Sequence, residues 1–381
     1  MTTEFDLSII IPTHNRATCL YHTIQACLSL GPRCEIVVCD SSETPSSLQS
    51  LGVLGRHNVQ LRVNPSTYSV VDNFNSGVKM ARGRYMLFIG DDDFVSSGVL
   101  TAVNYASVYN ADCISFTYPA TYWWPTFNHR RTGKLLASRL QVNEYTSNFT
   151  RRNAKRELKR AAERLGQGPL RMPKAYCGLL RRSYVLSVIQ EYGSLFGGVS
   201  PDIYSAVLLS MHSPVYFEYD FPVVVPGISA SSTSGLSSEG RHVGRLFASA
   251  HLIPFRGIKW DRRVPKFYSV QSVWAYSMLS ALNKTKSNTR PYFLALYLET
   301  IIFNREFLRN IMISAHYWIK YNPLEAIRQS APSIARFLSS VLTRWYERQK
   351  RDKNQVVFFV VGLSDTAAAK IALEKWLLKK S

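Results

Sequence analysis

Three consecutive carboxylates, Asp91-Asp92-Asp93, follow an apolar run, Tyr85-Met86-Leu87-Phe88-Ile89, with only Gly90 between them. Adjacent like charges repel, so holding three together costs stability unless a cation neutralises them. A hard divalent ion, Mg2+ or Mn2+, is the matching counter-charge. Mg2+ keeps only one or two protein carboxylates and completes its shell with phosphate oxygens and water. The chemistry on offer is stabilisation of charge on a leaving phosphate. The alternative is an acidic turn in which Asp92 or Asp93 caps the next helix. A buried strand running straight into the triplet favours the metal, and leaves open which of the three acids grips it.

Two further polar clusters stand in equivalent places. Leu7 to Ile11 reads as a strand buried on both faces and ends in Pro12-Thr13-His14-Asn15-Arg16. Glu35 to Cys39 reads as a second such strand and ends in Asp40-Ser41-Ser42. Helices are expected from Ala17 to Leu30 and from Ser69 to Ala81, the latter stopped by Gly83, with a third strand over Val59 to Val63. A helix from Ser97 to Tyr109 and a strand from Cys113 to Tyr118 continue the pattern. This β-α-β-α order implies an α/β fold with a mostly parallel sheet covered by helices. In such a sheet the C-terminal strand ends share one edge, so the three clusters converge there, where ligands bind.

Beyond Pro125 the spacing predicts a basic helix over Arg151 to Leu165 closed by Gly166, and a strand over Ala175 to Leu180. A helix over Pro201 to Met211 follows, with Ser200 at its N-cap. Strand pieces are expected at Val215 to Tyr219 and Val223 to Val225. Gly227 to Gly240, almost all Gly and Ser, reads as a mobile loop, able to close over a diphosphate or to be an ordinary surface loop. Pro291 to Ile319 reads as one amphipathic helix within a mainly helical remainder.

These segments resemble a known family. Ser8-Ile9-Ile10-Ile11-Pro12-Thr13-His14-Asn15-Arg16, Glu35 through Ser42, Asn73, and Ala81 through Asp93 resemble the opening strand, second strand, helix and D-x-D segment of GT-A, family-2-like glycosyltransferases. The resemblance covers about residues 5–125 and continues more weakly to about 235, through Tyr176 to Arg182 and Ser200-Pro201-Asp202. It implies a GT-A domain over 1–235, with a donor half (1–125) and an acceptor half (126–235), and a mainly helical basic region over 236–381. It also implies roles. Pro12, Thr13, Asn15, Arg16 and Asn73 would line the nucleotide-sugar pocket, and Asp40 would read the nucleobase. Asp91 would meet the ribose or the metal and Asp93 the metal, with Asp92 able to replace either. Asp202 would be the base that removes the acceptor proton as one sugar is transferred with inversion; alternatively it sits in the first helical turn and complements the helix dipole. Two departures stand out: Cys39 replaces the first of two acids usual at the end of the second strand, and the Q-x-x-R-W motif of processive synthases is absent, with Val341 where Gln is needed before Arg344-Trp345. His14 reads as pocket wall rather than base, and His212 as a surface histidine, with reach to the metal as the alternative.

The composition narrows the partners. The net charge of +20 is concentrated: residues 129–182 carry 15 basic against 3 acidic side chains, and 255–381 carry 22 against 8. Such faces suit solvated helices or an anionic partner. Together with Trp260, Trp274, Trp318, Trp345 and Trp376 they suggest an anionic membrane surface and a glycan or lipid-linked acceptor. No nucleic-acid motif occurs. Met1 to Ser8 is not a signal peptide and no apolar run approaches a bilayer span, so a cytoplasmic protein, peripheral at the inner membrane face, is expected. The six cysteines show no C-x-x-C pair and read as reduced, mostly buried thiols. Two competing readings are a sugar-nucleotide nucleotidyltransferase, which would normally carry a Gly-rich loop after the first strand, and a catalytically silent glycan- or partner-binding protein on the same fold.

Overall fold

In β1 (Leu7–Thr13) alternate side chains enter different cores. Leu7, Ile9 and Ile11 join Ile36 and Val38 on one face, while Ile10 joins Val37 and Cys39 on the other. That is the period-two signature of a strand covered on both sides. The computed structural model describes residues 4–212, 214–239, 243–248, 250–350 and 356–380. Met1–Thr3 of the expected N-terminus, Gly240 at the end of the expected loop, and the side chains of Arg344 and Trp345 lie outside the described residues.

The first unit follows in chain order: α1 (Ala17–Leu28), β2 (Cys34–Asp40), β3 (Val59–Val63), α2 (Val70–Met80), β4 (Tyr85–Phe88), β5 (Phe94–Val95), α3 (Gly98–Val108) and β6 (Cys113–Phe116). Then come β7 (Ala120–Trp123), β8 (Arg139–Asn143), β9 (Phe149–Arg152), α4 (Ala154–Ala162), β10 (Gly178–Arg181), α5 (Arg182–Tyr192), α6 (Pro201–Met211), β11 (Tyr216–Tyr219), β12 (Val224–Val225), β13 (Gly227–Ile228) and α7 (Thr233–Ser238). The remainder holds a 3-10 turn (Ala250–Phe255), α8 (Val270–Lys284), α9 (Phe293–Phe303), α10 (Leu308–Tyr321), α11 (Pro323–Lys350), β14 (Val356–Val360) and α12 (Thr366–Lys380).

Eight strands form the central sheet in the order β3-β2-β1-β4-β10-β6-β11-β9. β1, β2, β3 and β4 run parallel, β10 runs antiparallel to both β4 and β6, β11 is parallel to β6, and β9 is antiparallel to β11. This is a mostly parallel sheet flanked by helices, with a helical C-terminal region. The parallel register sets Thr13 beside Asp40 and Ile10 beside Phe88. The three polar strand ends therefore lie on one edge. Cys34 and Cys39 face opposite cores, as their spacing requires.

Several elements differ from the expectation. Arg151 and Arg152 belong to strand β9, and the helix begins only after Asn153, whose side chain caps it. Gly83 does not end α2 through a left-handed turn; that helix stops at Met80, with Ala81 extended. Gly83 is needed because a Cβ there would lie 2.6 Å from the Ser8 backbone nitrogen. The Gly- and Ser-rich segment holds β13 and α7, the helix being capped by Ser232. The aromatic stretch from Pro291 is two helices, α9 and α10, broken at Asn304.

The C-terminal chain packs on both units. α6 lies against α8 in the larger core cluster. β14 joins the small sheet beside β8, in the order β13-β7-β8-β14, and α12 packs on α1. There the buried Lys370 ammonium donates to the Ala26 carbonyl at 2.9 Å. No helix among the described residues is long and apolar enough to cross a membrane.

Candidate active site

The aspartate triplet is held by its backbone before its side chains act. The Thr23 hydroxyl, on α1, lies 2.9 Å from the carbonyls of both Asp91 and Asp93. The Trp124 indole N–H donates to the Asp92 carbonyl at 2.9 Å. The Asp93 carboxylate turns inward: it accepts from Gly90 N–H (2.8 Å), the Tyr176 hydroxyl (2.7 Å) and Gly227 N–H (2.9 Å). Asp93 is only 2 % exposed, and burial pushes its pKa up to about 6 despite those donors. Through these bonds the carboxylate fastens β13 and Tyr176 to the loop.

The cation beside the other two carboxylates belongs to the chain itself. Arg16 forks between Asp91 and Asp92, bonding Asp91 through Nη1 and Asp92 through Nη2 at 2.7 Å. Thr13 Oγ1 donates to Asp91 at 2.6 Å, and Ser229 Oγ donates to Asp92 at 2.8 Å. Burial raises Asp91 to about 7 against the lowering pull of Arg16, and the two carboxylates hold the guanidinium firmly charged. The tail of β1 and the loop after β4 are thus joined by one charge-assisted fork.

The remaining donor-side residues divide into lining and scaffold. His14 and Asn15 are exposed, Pro12 and Arg16 partly so. Asn15 adopts φ +56°, a left-handed conformation uncommon outside glycine. Its N–H donates to Ser42 Oγ at 2.7 Å, and its side-chain oxygen accepts from Glu43 N–H at 3.0 Å. His14 Nδ1 donates to the Ser41 carbonyl at 2.7 Å, a pocket-wall posture. Asp40 is fully buried, and its two oxygens accept from the N–H groups of Ser42 and Ser46, both at 2.8 Å. Through these bonds the carboxylate shapes the loop from Ser41 to Ser46. Asn73 is likewise buried, donating to the Thr13 carbonyl (3.1 Å) and the Cys39 carbonyl (2.9 Å) and so tying the ends of β1 and β2 together.

Asp202 sits in the first turn of α6 after Pro201, partly exposed, with Ser200 Oγ 3.3 Å from its Oδ1. Ser200 occupies the N-cap position but makes no cap bond to the backbone. Burial raises the Asp202 pKa above the ordinary carboxylate value. Tyr118 and Cys177 lie within electrostatic reach of both Asp93 and Asp202. Cys177 itself takes φ +54°, and its N–H donates to the Phe88 carbonyl at 2.7 Å. His212, at the far end of α6, pairs with Glu191 at 2.8 Å and takes no part in the cleft.

The donor set can be tested for a divalent ion. Asp93 already accepts from Gly90, Tyr176 and Gly227. Asp92 Oδ1 is a carboxylate oxygen without a hydrogen-bond donor among the described residues, and the Asp91 oxygens are held only by Thr13 and Arg16. One or two carboxylates completed by phosphate and water satisfy Mg2+ or Mn2+. The residues therefore fit such an ion at Asp92 and Asp91, with Arg16 free to turn to a phosphate. Thr23 and Trp124 were not singled out in the sequence; Tyr176 fell in the weaker part of the resemblance, and Gly227 and Ser229 in the Gly- and Ser-rich stretch.

The chain is similar to two sets of solved structures. S. aureus TarS 1-349 in complex with UDP-GlcNAc is 14% identical, with a TM-score of 0.45 over 81% of this chain and 79% of that one. Mannosyltransferase PcManGT from Pyrobaculum calidifontis, in complex with GDP-Man and Mn2+, is 13% identical, with a TM-score of 0.42 over 99% of this chain and 88% of that one. No curated protein matches. Residues 8–182 match the family model described as Glycosyl transferase family 2.

Proposed function

We propose that the protein is an inverting glycosyltransferase that moves a single sugar from a nucleotide-sugar donor to an acceptor hydroxyl, in surface polysaccharide or glycoconjugate synthesis. The observation that supports this reading is the meeting of Thr13, Arg16, Asp91 and Asp92 at one sheet edge. Residues 1–235 serve as the transferase unit, and 236–381 as a basic region attached to it.

In this reading the donor's diphosphate lies over the N-terminal turn of α1 and meets Arg16, which exchanges one carboxylate partner for phosphate oxygens. A divalent ion, Mg2+ or Mn2+, when bound by Asp92 with Asp91, would supply further neutralisation of the departing diphosphate. Pro12, Asn15 and the loop shaped by Asp40 flank the nucleotide. Asn73 and Asp93 act from beneath by holding strand ends and loop in place. Asp202 accepts the acceptor's hydroxyl proton as that oxygen bonds to the anomeric carbon. The bond between the sugar and the diphosphate breaks, and its electron pair leaves on the phosphate oxygen.

Titration with UDP and GDP, with and without Mn2+, followed by hydrolysis assays on the matching nucleotide sugars, tests the reading. Nucleotide binding with slow donor hydrolysis is expected, and Asp202→Asn should keep the binding and lower turnover by about 100-fold or more. Unchanged turnover in Asp202→Asn would remove the base assignment, and no binding of either nucleotide would remove the donor site.

A further inference from the structure

We propose that the C-terminal region positions the base: Ser277 on α8 and His251 on the 3-10 turn clamp Val199, three residues before Asp202, and so fix where that carboxylate points. This rests on the role proposed for Asp202.

Every group of Val199 is held by residues beyond 236. Its N–H donates to Ser277 Oγ at 3.1 Å, and its carbonyl accepts from His251 Nε2 at 2.8 Å. Its side chain is fully buried in a small cluster with Leu246, Leu252, Tyr268 and Val273. Ser277 Oγ also accepts from Ser200 N–H at 2.8 Å, so one buried hydroxyl satisfies two consecutive amides. The fit allows no slack. Gly198 stands at φ +64°, and a Cβ on it would lie 2.8 Å from that oxygen and 3.1 Å from the Ser277 Cα.

The other end of the same loop is tied to the donor half. Phe196 donates its N–H to Asn75 Oδ1 at 3.1 Å and accepts from Asn75 Nδ2 at 3.0 Å. Asn75 is on α2, two residues from Asn73, which binds the ends of β1 and β2. The short segment from Phe196 to Asp202 is therefore anchored to the donor sheet at one end and to the C-terminal region at the other. That arrangement can set the distance between base and donor. Val199 lacks a fourth fastening, so removing either clamp leaves buried amide or carbonyl groups unpaired, which the loop relieves by shifting toward water. A small shift of a base relative to a reacting centre is enough to cost a large factor in rate.

The experiment compares Ser277→Ala, His251→Leu and His251→Gln in the full chain. The Gln amide nitrogen can reach the Val199 carbonyl in place of Nε2, whereas Leu cannot donate. Backbone amide exchange is followed in the peptide covering 197–204. Turnover is read by hydrolysis of UDP-N-acetylglucosamine, UDP-glucose and GDP-mannose with Mn2+, and nucleotide affinity by UDP and GDP titration. Ser277→Ala and His251→Leu should speed exchange of that peptide and lower turnover roughly 10- to 100-fold with nucleotide affinity within about twofold. His251→Gln should restore most of the turnover. Unchanged exchange, or faster exchange with unchanged turnover, overturns the clamp. Loss of nucleotide binding alongside turnover in both variants also overturns it, since the two residues would then support the fold as a whole. A chain with normal clamp variants but inactive Asp202→Asn keeps the base and loses the clamp. A wild-type chain that hydrolyses none of the three donors removes the transferase reading and the clamp with it.

Discussion

Residues of one chemical type do different work here, and burial decides which. Asp91 and Asp92 share a guanidinium at the cleft, whereas Asp93, beside them in sequence, spends both oxygens on Gly90, Tyr176 and Gly227. The sequence exposes the acidic cluster but not this division, because Gly227 lies 134 residues away and only folding brings its N–H to Asp93. Arg16 was legible as a pocket residue; its role as the counter-charge that lets two buried carboxylates coexist was not. Asp202 carries a consequence for stability. Its folded-state pKa lies above the ordinary value of 3.8, chiefly through burial. The folded protein therefore binds a proton that the unfolded chain has released, and stability from this group falls as pH rises above about 3.8. Below that value both states hold the proton and the cost vanishes. Asp202→Asn should accordingly raise the melting temperature above the folded-state pKa, with a gain that is lost as pH falls through that pKa toward 3.8. A constant difference across that range would mean the carboxylate is not strained by its surroundings. The same substitution that stabilises the fold is the one expected to stop transfer, the usual exchange at a site whose polar group sits where burial disfavours its charge.

β1 and β4 were readable because a strand buried on both faces needs nothing but a continuous apolar run, and β3 because Val, Leu and Val alternate with polar residues. β1, β2, β3 and β4 and the helices between them fall within a residue or two of their expected bounds. Where a long-range partner sets the conformation, local pattern failed. Arg151 and Arg152 look helical beside the basic residues that follow. The chain is instead extended there because Phe149 stacks at 3.7 Å on Tyr105 and at 3.8 Å on Tyr219, and β9 pairs with β11. The Ser- and Gly-rich stretch after Pro226 looked mobile, yet two of its features are packing requirements. Ser232 caps α7, and Gly227 lies where a Cβ would come within 1.7 Å of the Asp92 carbonyl and 2.9 Å of the Trp124 indole nitrogen. Gly227→Ala must therefore push β13 away from the triplet, at a cost of about 1–3 kcal/mol or more for overpacking. It should also break the Gly227 bond to Asp93. Denaturant unfolding together with nucleotide titration checks this. Reduced stability and weakened binding are expected together, and a variant with unaltered binding would show that β13 does not hold the donor loop in shape.

At the scale of the whole molecule, charge and apolar exposure meet on the C-terminal helices. On α10 and α11 the side chains of Ile313, Tyr321, Leu324 and Ile327 are 61 %, 65 %, 81 % and 73 % exposed, and Arg305, Arg309 and Lys320 are exposed beside them. Scattered apolar side chains are normal on a surface, but this run of them on two consecutive helices, amid an excess of cations, is of the kind that rests on anionic lipid. Other parts of the same region are committed inward: α8 packs on α6, β14 on β8, and α12 on α1. Each cation near an anionic surface contributes about 1 kcal/mol, and that share is screened by salt. The apolar side chains contribute a share that salt leaves intact. Flotation with phosphatidylglycerol vesicles should therefore show binding at low salt that weakens with added salt. Leu324→Glu combined with Ile327→Glu should abolish it while leaving nucleotide affinity unchanged, because both side chains are strongly exposed on α11. Equal binding to neutral phosphatidylcholine vesicles would remove the electrostatic half of the proposal, and full binding by the double variant would place the contact on another face.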